Sequence, residues 1–293
     1  MIISGKDIKE HLLKYSGFGK GKKPRKVVFI RVGNDASSEV YVRNKNRILN
    51  QFEIETENII LDSNCKFSEI KNIIEDNKGN YILIQLPLPK HLNEREIMNL
   101  IPSNCDIDCQ TDYNLGKIMA DFTFDNVMPC TSWGILKMID YYYTFISNEK
   151  INSKSWKYML SGKTITVVGR SNIVGKPTIM SLVNRGATVI CCNSGTENIR
   201  EHFKKSDIVI LAVGKAGVFN INDFPKIKEQ LIIDVGINPI EVDGKRKVVG
   251  DFDATGIGDN LHYTPVPGGV GVLTVLGLLN NYVVLQYLNG GMK

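Results

Sequence analysis

Tyr41 and Lys45 stand four residues apart in S-E-V-Y-V-R-N-K-N-R, a stretch with helical spacing. On a helix that separation puts both side chains on one face. The ring offers a stacking surface and the amine can carry a proton. From spacing alone, a surface pair on an amphipathic helix is the simpler explanation. Gln85 ends the apolar run Y-I-L-I-Q and is followed by L-P-L-P. A polar residue at the carboxyl end of a buried parallel strand faces the region where α/β proteins bind ligands. A side chain satisfied by its own loop explains it equally well. The loop P-S-N-C-D-I-D-C supplies Asp106 and Asp108. Alternating carboxylates can hold the ring N–H groups of a heterocycle or a metal. Without companion ligands, the metal is the weaker option.

Residues Thr166 to Pro177, T-V-V-G-R-S-N-I-V-G-K-P, add a second kind of chemistry. Ile165–Val168 make a short buried strand, Gly169 opens a turn, and Gly175 and Pro177 fall where a helix begins. That layout presents backbone N–H groups to a phosphate. It departs from G-x-G-x-x-G, because Arg170 and Ser171 fill the turn. A guanidinium there suits the extra phosphate of NADP better than the bare ribose of NAD. An ordinary strand-to-helix turn with a solvated arginine is the competing explanation. Near the end, T-P-V-P-G-G-V-G (264–271) fixes an irregular backbone that side chains cannot crowd, against which a flat ligand can lie.

These residues need a scaffold, and the pattern supplies an α/β one. Candidate strands are Val27–Val32, Glu53–Leu61, Tyr81–Gln85, Ile165–Val168, Thr188–Cys192, Ile208–Val213 and Leu231–Val235. Stretches with helical spacing alternate with them: Val40–Gln51, Lys66–Asn77, Glu94–Leu100 and Thr178–Asn184. Continuous β-branched runs predict strands buried on both faces, in parallel sheets covered by helices. Trp133–Phe145 and Leu273–Leu288 are strongly apolar helix candidates, and the polar segment Asn148–Ser161 reads as a loop near a boundary. The expected organisation is an α/β catalytic domain over 1–135, completed by a returning helix over 273–293. A Rossmann-like cofactor domain with a parallel sheet covers 136–272.

Composition bounds the function classes. The 293 residues are 43% hydrophobic and 23% charged, ordinary for a globular protein with real cores. A net charge of +5 and no basic block interleaved with aromatics argue against nucleic acid. The Lys-rich run Lys20–Lys26 reads as a solvated loop. No apolar run of transmembrane length and no signal-peptide core at the N-terminus are expected from the sequence, and hence no membrane partner. Cys65, Cys105, Cys109, Cys130, Cys191 and Cys192 contain no C-x-x-C pair or zinc set, and free thiols in a reducing cytoplasm are expected.

Taken together and in order, Y-V-R-N-K, Q-L-P-L-P, D-I-D, P-C-T, V-V-G-R-S-N-I-V-G-K-P, D-V-G-I-N, G-D-F-D and T-P-V-P-G-G-V-G resemble the bifunctional methylenetetrahydrofolate dehydrogenase/methenyltetrahydrofolate cyclohydrolase family over nearly the whole chain. Each motif is only suggestive; the ordered set is specific. The resemblance implies NADP-dependent oxidation of 5,10-methylenetetrahydrofolate, then hydrolysis of the methenyl product to 10-formyltetrahydrofolate, in one-carbon metabolism that feeds purine biosynthesis. It also implies a homodimer in the cytoplasm. Lys45 becomes the main catalytic residue of hydrolysis, with Gln85 tuning it. Tyr41 stacks on the p-aminobenzoyl ring and Asp108 holds the pterin; both also count among the catalytic positions. The backbone of Pro267, Gly268 and Gly269 forms the pterin-side wall. Gly169, Arg170, Ser171, Ile173, Val174, Ser194 and Ile237 fall at cofactor positions, with Arg170, Ser171 and Ser194 toward the 2′-phosphate. A helix N-cap is the alternative role for Ser194. The hydride leaves a carbon flanked by two nitrogens, so positioning matters more than a strong base. The cationic product, with partial burial, is expected to favour a neutral Lys45 amine that activates water.

Several positions depart from the family pattern. Cys109 replaces a glycine, so either its Cβ narrows the pterin loop or the backbone there needs no positive φ. Asn193 replaces a histidine before Ser194. Val272 replaces a proline, which predicts a looser start to the last helix, and Lys215-Ala216 lack a proline after Gly214. Three alternatives follow: a monofunctional or NAD-preferring methylenetetrahydrofolate dehydrogenase; a catalytically silent folate- or nucleotide-binding protein; and an unrelated two-domain oxidoreductase sharing only the cofactor fold. Intact Tyr41, Lys45 and Gln85 oppose loss of the hydrolysis, the retained Lys45 opposes a silent protein, and the Q-L-P-L-P and P-V-P-G-G-V-G pair opposes the third.

Overall fold

A computed structural model describes residues 1–15, 24–120, 126–147, 158–225, 229–242 and 244–290. Most of Lys20–Lys26 and of Asn148–Ser161, both expected as loops, lies outside the described residues. In chain order the elements are α1 (Gly5–Tyr15), β1 (Val27–Val32), α2 (Ala36–Gln51), β2 (Thr56–Leu61), α3 (Phe67–Asp76), β3 (Tyr81–Ile84), α4 (Glu94–Met98), α5 (Asp112–Ala120) and α6 (Cys130–Phe145). There follow β4 (Thr164–Val168), α7 (Gly175–Asn184), β5 (Thr188–Cys192), α8 (Ile199–Lys205), β6 (Ile208–Leu211), β7 (Phe219–Asn220), β8 (Gln230–Asp234), β9 (Asn238–Val242), β10 (Lys245–Val249), β11 (Phe252–Asp253), β12 (Leu261–Tyr263) and α9 (Val270–Leu288).

The chain forms two compact units, Ser16–Cys130 with Val275–Lys293, and Met1–Tyr15 with Thr131–Thr274. The first holds a parallel sheet in the order β2-β1-β3. Its central strand β1 is buried at every position, as its uninterrupted apolar run predicts. Val28, Ile30, Ile82 and Ile84 pack under Ile70 and Ile74 of α3 and Ile97 of α4. Asp35 caps α2 by accepting from the Ser38 N–H at 2.7 Å. That cap fixes where the helix bearing Tyr41 and Lys45 begins.

The second unit holds five parallel strands in the order β12-β8-β6-β4-β5. After β4 the chain moves outward to β5, then returns to place β6 on the other side of β4. The carboxyl ends of β4 and β6 therefore flank a topological switch point, where open α/β sheets bind ligands. In the structure residues 1–15 group with this unit. The cause is direct: Ile3 N–H donates to Tyr263 O at 2.8 Å, and Tyr263 N–H to Met1 O at 3.0 Å, so the N-terminus runs along β12.

Helix α9 is 19 residues long and apolar enough to cross a membrane by length and composition. This corrects the expectation that no apolar run reaches that length. Its apolarity has an internal use: Leu276, Leu279 and Tyr282 are wholly buried, and the Tyr282 ring stands edge-on to Tyr81 at 5.3 Å. Asn281, also buried, donates to Ile107 O at 2.8 Å and Met128 O at 2.6 Å. Val272 does not loosen the helix start; its N–H donates to Gly269 O at 3.1 Å, a bond proline would forfeit.

Candidate active site

In the first unit the structure gathers three of the predicted residues around one amine. Lys45 projects from α2 and is 5% exposed. Its Nζ donates to Gln85 Oε1 at 3.3 Å and to Asp108 Oδ2 at 3.2 Å. Gln85 directly follows β3; its backbone N–H continues the ladder to Ile30 O at 2.9 Å, and its Nε2 donates to Leu86 O at 2.9 Å. The side-chain amide is thereby oriented with its oxygen toward Lys45. Tyr41, one helical turn before Lys45, is half-buried, and burial raises its phenol above the usual range. The surface-pair explanation of Tyr41 and Lys45 therefore fails for the lysine.

The two carboxylates of D-I-D have separate jobs. Asp106 is fully buried and accepts from Gln110 N–H at 3.0 Å, Thr111 N–H at 2.9 Å and Asn114 Nδ2 at 2.9 Å. It folds its own loop; burial raises its carboxyl despite those donors. Asp108 instead receives side-chain donors, Lys45 and, at 3.2 Å, Gln110 Nε2. Cys109 has φ +55°. The backbone at this position is left-handed, and the cysteine bears it as a strained, wholly buried residue whose thiol donates to Val127 O at 3.4 Å. Burial pushes the thiols of Cys109 and Cys130 well up, the neighbouring carboxylates adding to it, so both are inert.

In the second unit the turn after β4 is built on close backbone approach. Gly169 has φ +131°, and a Cβ there would lie 2.4 Å from Ala212 O. A Cβ on Gly175 would lie 2.3 Å from Gly169 O. The turn therefore lies flat between the ends of β4 and β6, with the amino end of α7 behind it. Ser171 Oγ accepts from the N–H groups of Val174 and Gly175, both at 3.2 Å, and keeps its own proton to donate outward. Arg170 and Ile173 are exposed and Val174 is half-buried. Ser194 is exposed in the turn after β5 and does not cap α8, whose N-cap is Asn198. Asn193 shapes that turn, its Oδ1 accepting from Gly195 N–H at 3.0 Å. Ile237 follows β8 and is 43% exposed. Gly268 has φ +109° in the loop before α9, where Pro267 is exposed and Gly269 buried.

Two further carboxylates, Asp234 in D-V-G-I-N and Asp251 in G-D-F-D, are buried at the end of β8 and beside the loop that follows β6. Nothing in the spacing of the two motifs says that Asp234 accepts from the backbone N–H of Asp251, at 3.0 Å.

A parallel α/β unit with a lysine–amide–carboxylate cluster, together with a second carrying a dinucleotide turn, defines a two-domain nucleotide-dependent enzyme class. Comparison with known proteins agrees. Residues 4–108 match the tetrahydrofolate dehydrogenase/cyclohydrolase catalytic domain, and residues 129–288 match that family's NAD(P)-binding domain. The chain is 37% identical over 296 residues to the bifunctional protein FolD of Mycoplasma mycoides, covering 98% of this chain and 95% of the relative. It is 37% identical over 260 residues to that of Bacillus subtilis, covering 87% and 84%. Among solved structures, the bifunctional FolD methylenetetrahydrofolate dehydrogenase/cyclohydrolase of Campylobacter jejuni superposes with a TM-score of 0.82 at 29% identity, covering 98% of this chain and 99% of that one. The chain belongs to the tetrahydrofolate dehydrogenase/cyclohydrolase family.

Proposed function

We propose that the protein oxidises 5,10-methylenetetrahydrofolate to the methenyl form with NADP and hydrolyses that product to 10-formyltetrahydrofolate. Membership of the family supports both activities. The observation that carries the hydrolytic half is Lys45 Nζ, buried between Gln85 Oε1 at 3.3 Å and Asp108 Oδ2 at 3.2 Å. An amine so held can pass a proton to or from a water or a folate nitrogen within hydrogen-bond reach. Asp108 has a double use in this reading: counter-ion to Lys45 in the free protein, and acceptor for the pterin N–H groups in the complex. Pterin binding then draws the carboxylate away as a cationic product forms nearby, and both changes favour proton release from the amine. Tyr41 contributes a ring face for the p-aminobenzoyl group.

For the oxidative half, NADP supplies the hydride acceptor when bound. The turn after β4 fits it, because side chains at Gly169 and Gly175 would collide with backbone and the phosphate-facing surface is main chain. Arg170 and Ser194 would take the 2′-phosphate, with Ser171, Ile173 and Val174 lining the turn and Ile237 the nicotinamide side. The Pro267–Gly269 backbone would wall the pterin. The same family likeness supports a cytoplasmic homodimer whose formyl product feeds purine synthesis, and the mild net charge of +5 supports a chain without nucleic-acid partners.

The test is an assay with methylenetetrahydrofolate and either NADP or NAD, following reduced cofactor and methenyl product separately. Reduced cofactor with no accumulated methenyl product is expected. No reduced cofactor with either dinucleotide would sink the reading. Accumulating methenyl product would point to a monofunctional dehydrogenase.

A further inference from the structure

Asp251 is wholly buried and carries no cation among its hydrogen-bond partners. Its Oδ2 accepts from the backbone N–H of Val213 at 2.6 Å and of Gly214 at 3.1 Å. Its Oδ1 accepts from Lys215 N–H at 2.9 Å and from Asn238 Nδ2 at 3.0 Å. One carboxylate thus fixes three consecutive amides of the loop after β6 and ties them to the segment after β8. Asp234 fixes Asp251 in turn: its Oδ1 accepts from Asp251 N–H at 3.0 Å and Gly236 N–H at 2.9 Å, and its Oδ2 from Phe252 N–H at 2.9 Å. The knot has no slack. A Cβ on Gly250 would sit 1.8 Å from Asp234 Oδ2.

The knot lies at the carboxyl ends of β6 and β8, and the β6 end borders the switch point. The two braced loops carry Val213 and Ile237, apolar yet 38% and 43% exposed. We propose that Asp251 is the positioning residue for the nicotinamide half of the dinucleotide, holding the Val213–Lys215 and Gly236–Asn238 segments so that Val213 and Ile237 present a flat apolar contact to the ring. The idea rests on the dehydrogenase reading above and extends it to a residue that need not touch the cofactor. The chemistry requires a carboxylate. Four donors converge on it, two at each oxygen, and a carboxyl group is the side chain that offers two acceptor oxygens at this reach. An asparagine keeps one acceptor and turns an NH₂ group onto the remaining N–H donors.

The experiment uses the full chain and three readouts. 2′,5′-ADP, a probe carrying the adenosine and 2′-phosphate without nicotinamide, reports the far end of the site by calorimetry. NADP-dependent dehydrogenase kinetics report the nicotinamide end, and hydrolysis of methenyltetrahydrofolate reports the other unit. Asp251→Asn is expected to lower dehydrogenase kcat/KM by about 10- to 100-fold, the usual consequence of leaving one or two buried donors unpaired. 2′,5′-ADP affinity and hydrolysis should stay within about twofold. Should Asp251→Asn not fold, Asn238→Ala removes a single donor and is expected to show the same split at about 3- to 10-fold. Parallel loss of 2′,5′-ADP binding, or a dehydrogenase unchanged in both variants, overturns the proposal. A wild type that binds no 2′,5′-ADP and reduces no dinucleotide would instead overturn the dehydrogenase reading.

Discussion

Asp234 should make the cofactor unit less stable as pH rises, opposite to the usual behaviour of a carboxylate. Burial raises its pKa from 3.8 to about 6; the N–H donors of Phe252, Asp251 and Gly236 pull the other way but do not win, and the charge of Asp251 adds to the rise. The folded state therefore keeps a proton that the unfolded chain has lost between about pH 4 and 6. Stability linked to this group is greatest below about pH 4, falls through that window, and is flat above it. A shift of about two pKa units corresponds to about 3 kcal/mol. For a unit of this size that is about 6–12 °C in melting temperature. The clean measurement is a difference. Asp234→Asn cannot ionise, so the stability of wild type minus variant should fall by about 3 kcal/mol between pH 4 and pH 7. Trp133 belongs to the unit that contains Asp234, so its fluorescence follows the relevant transition. A difference that is flat across this range, or that rises with pH, would refute the reasoning. It would mean that the three amides fully compensate the buried charge.

Three further outcomes follow from other positions. Lys45→Met should lower hydrolysis of methenyltetrahydrofolate by about 10²- to 10⁴-fold while dehydrogenase turnover stays within about tenfold; an unchanged hydrolysis rate would remove Lys45 from the chemistry. Gly175→Ala places a methyl group 2.3 Å from Gly169 O, so NADP-dependent oxidation should be lost with hydrolysis kept, as paired assays would show. Because Cys109 holds φ +55°, Cys109→Gly should be more stable than Cys109→Ala by about 1 kcal/mol in urea, reversing the usual order of the two residues.

The legible parts of the sequence were those governed by local rules. Buried parallel strands announce themselves as apolar runs, and Val27–Val32 and Thr188–Cys192 fall as drawn. The glycine turn after β4 was legible for the same reason. Harder elements had weak or conflicting local signals. The hairpin β9–β10 includes the charged, mostly exposed run K-R-K-V-V, and β12 is only three residues long, held by pairing with β8 and by the N-terminus. The N-terminus is anchored on β12, some 260 positions along the chain, which no local signal reports. At the site, residue types were legible while contacts were not. Lys45 meets Gln85 and Asp108 across 40 and 63 residues, and no periodicity reports that.

Four of the buried or half-buried aspartates, Asp106, Asp108, Asp234 and Asp251, show two ways of holding a carboxylate. Asp106, Asp234 and Asp251 each accept mostly from backbone N–H groups, which cannot leave without unfolding a loop. Their lone pairs are committed, and a ligand would have to displace main chain to reach them. Asp108 is met by the side chains of Lys45 and Gln110, two long groups whose rotamers can turn away at modest cost. It is also the one whose neighbour carries a proton that can move. A carboxylate held only by side chains can change partners, which is what the pterin contact proposed for Asp108 would demand. D-I-D places both kinds two residues apart: Asp106 makes the loop rigid, and that rigidity lets Asp108 remain uncommitted to the backbone while staying within 3.2 Å of Lys45.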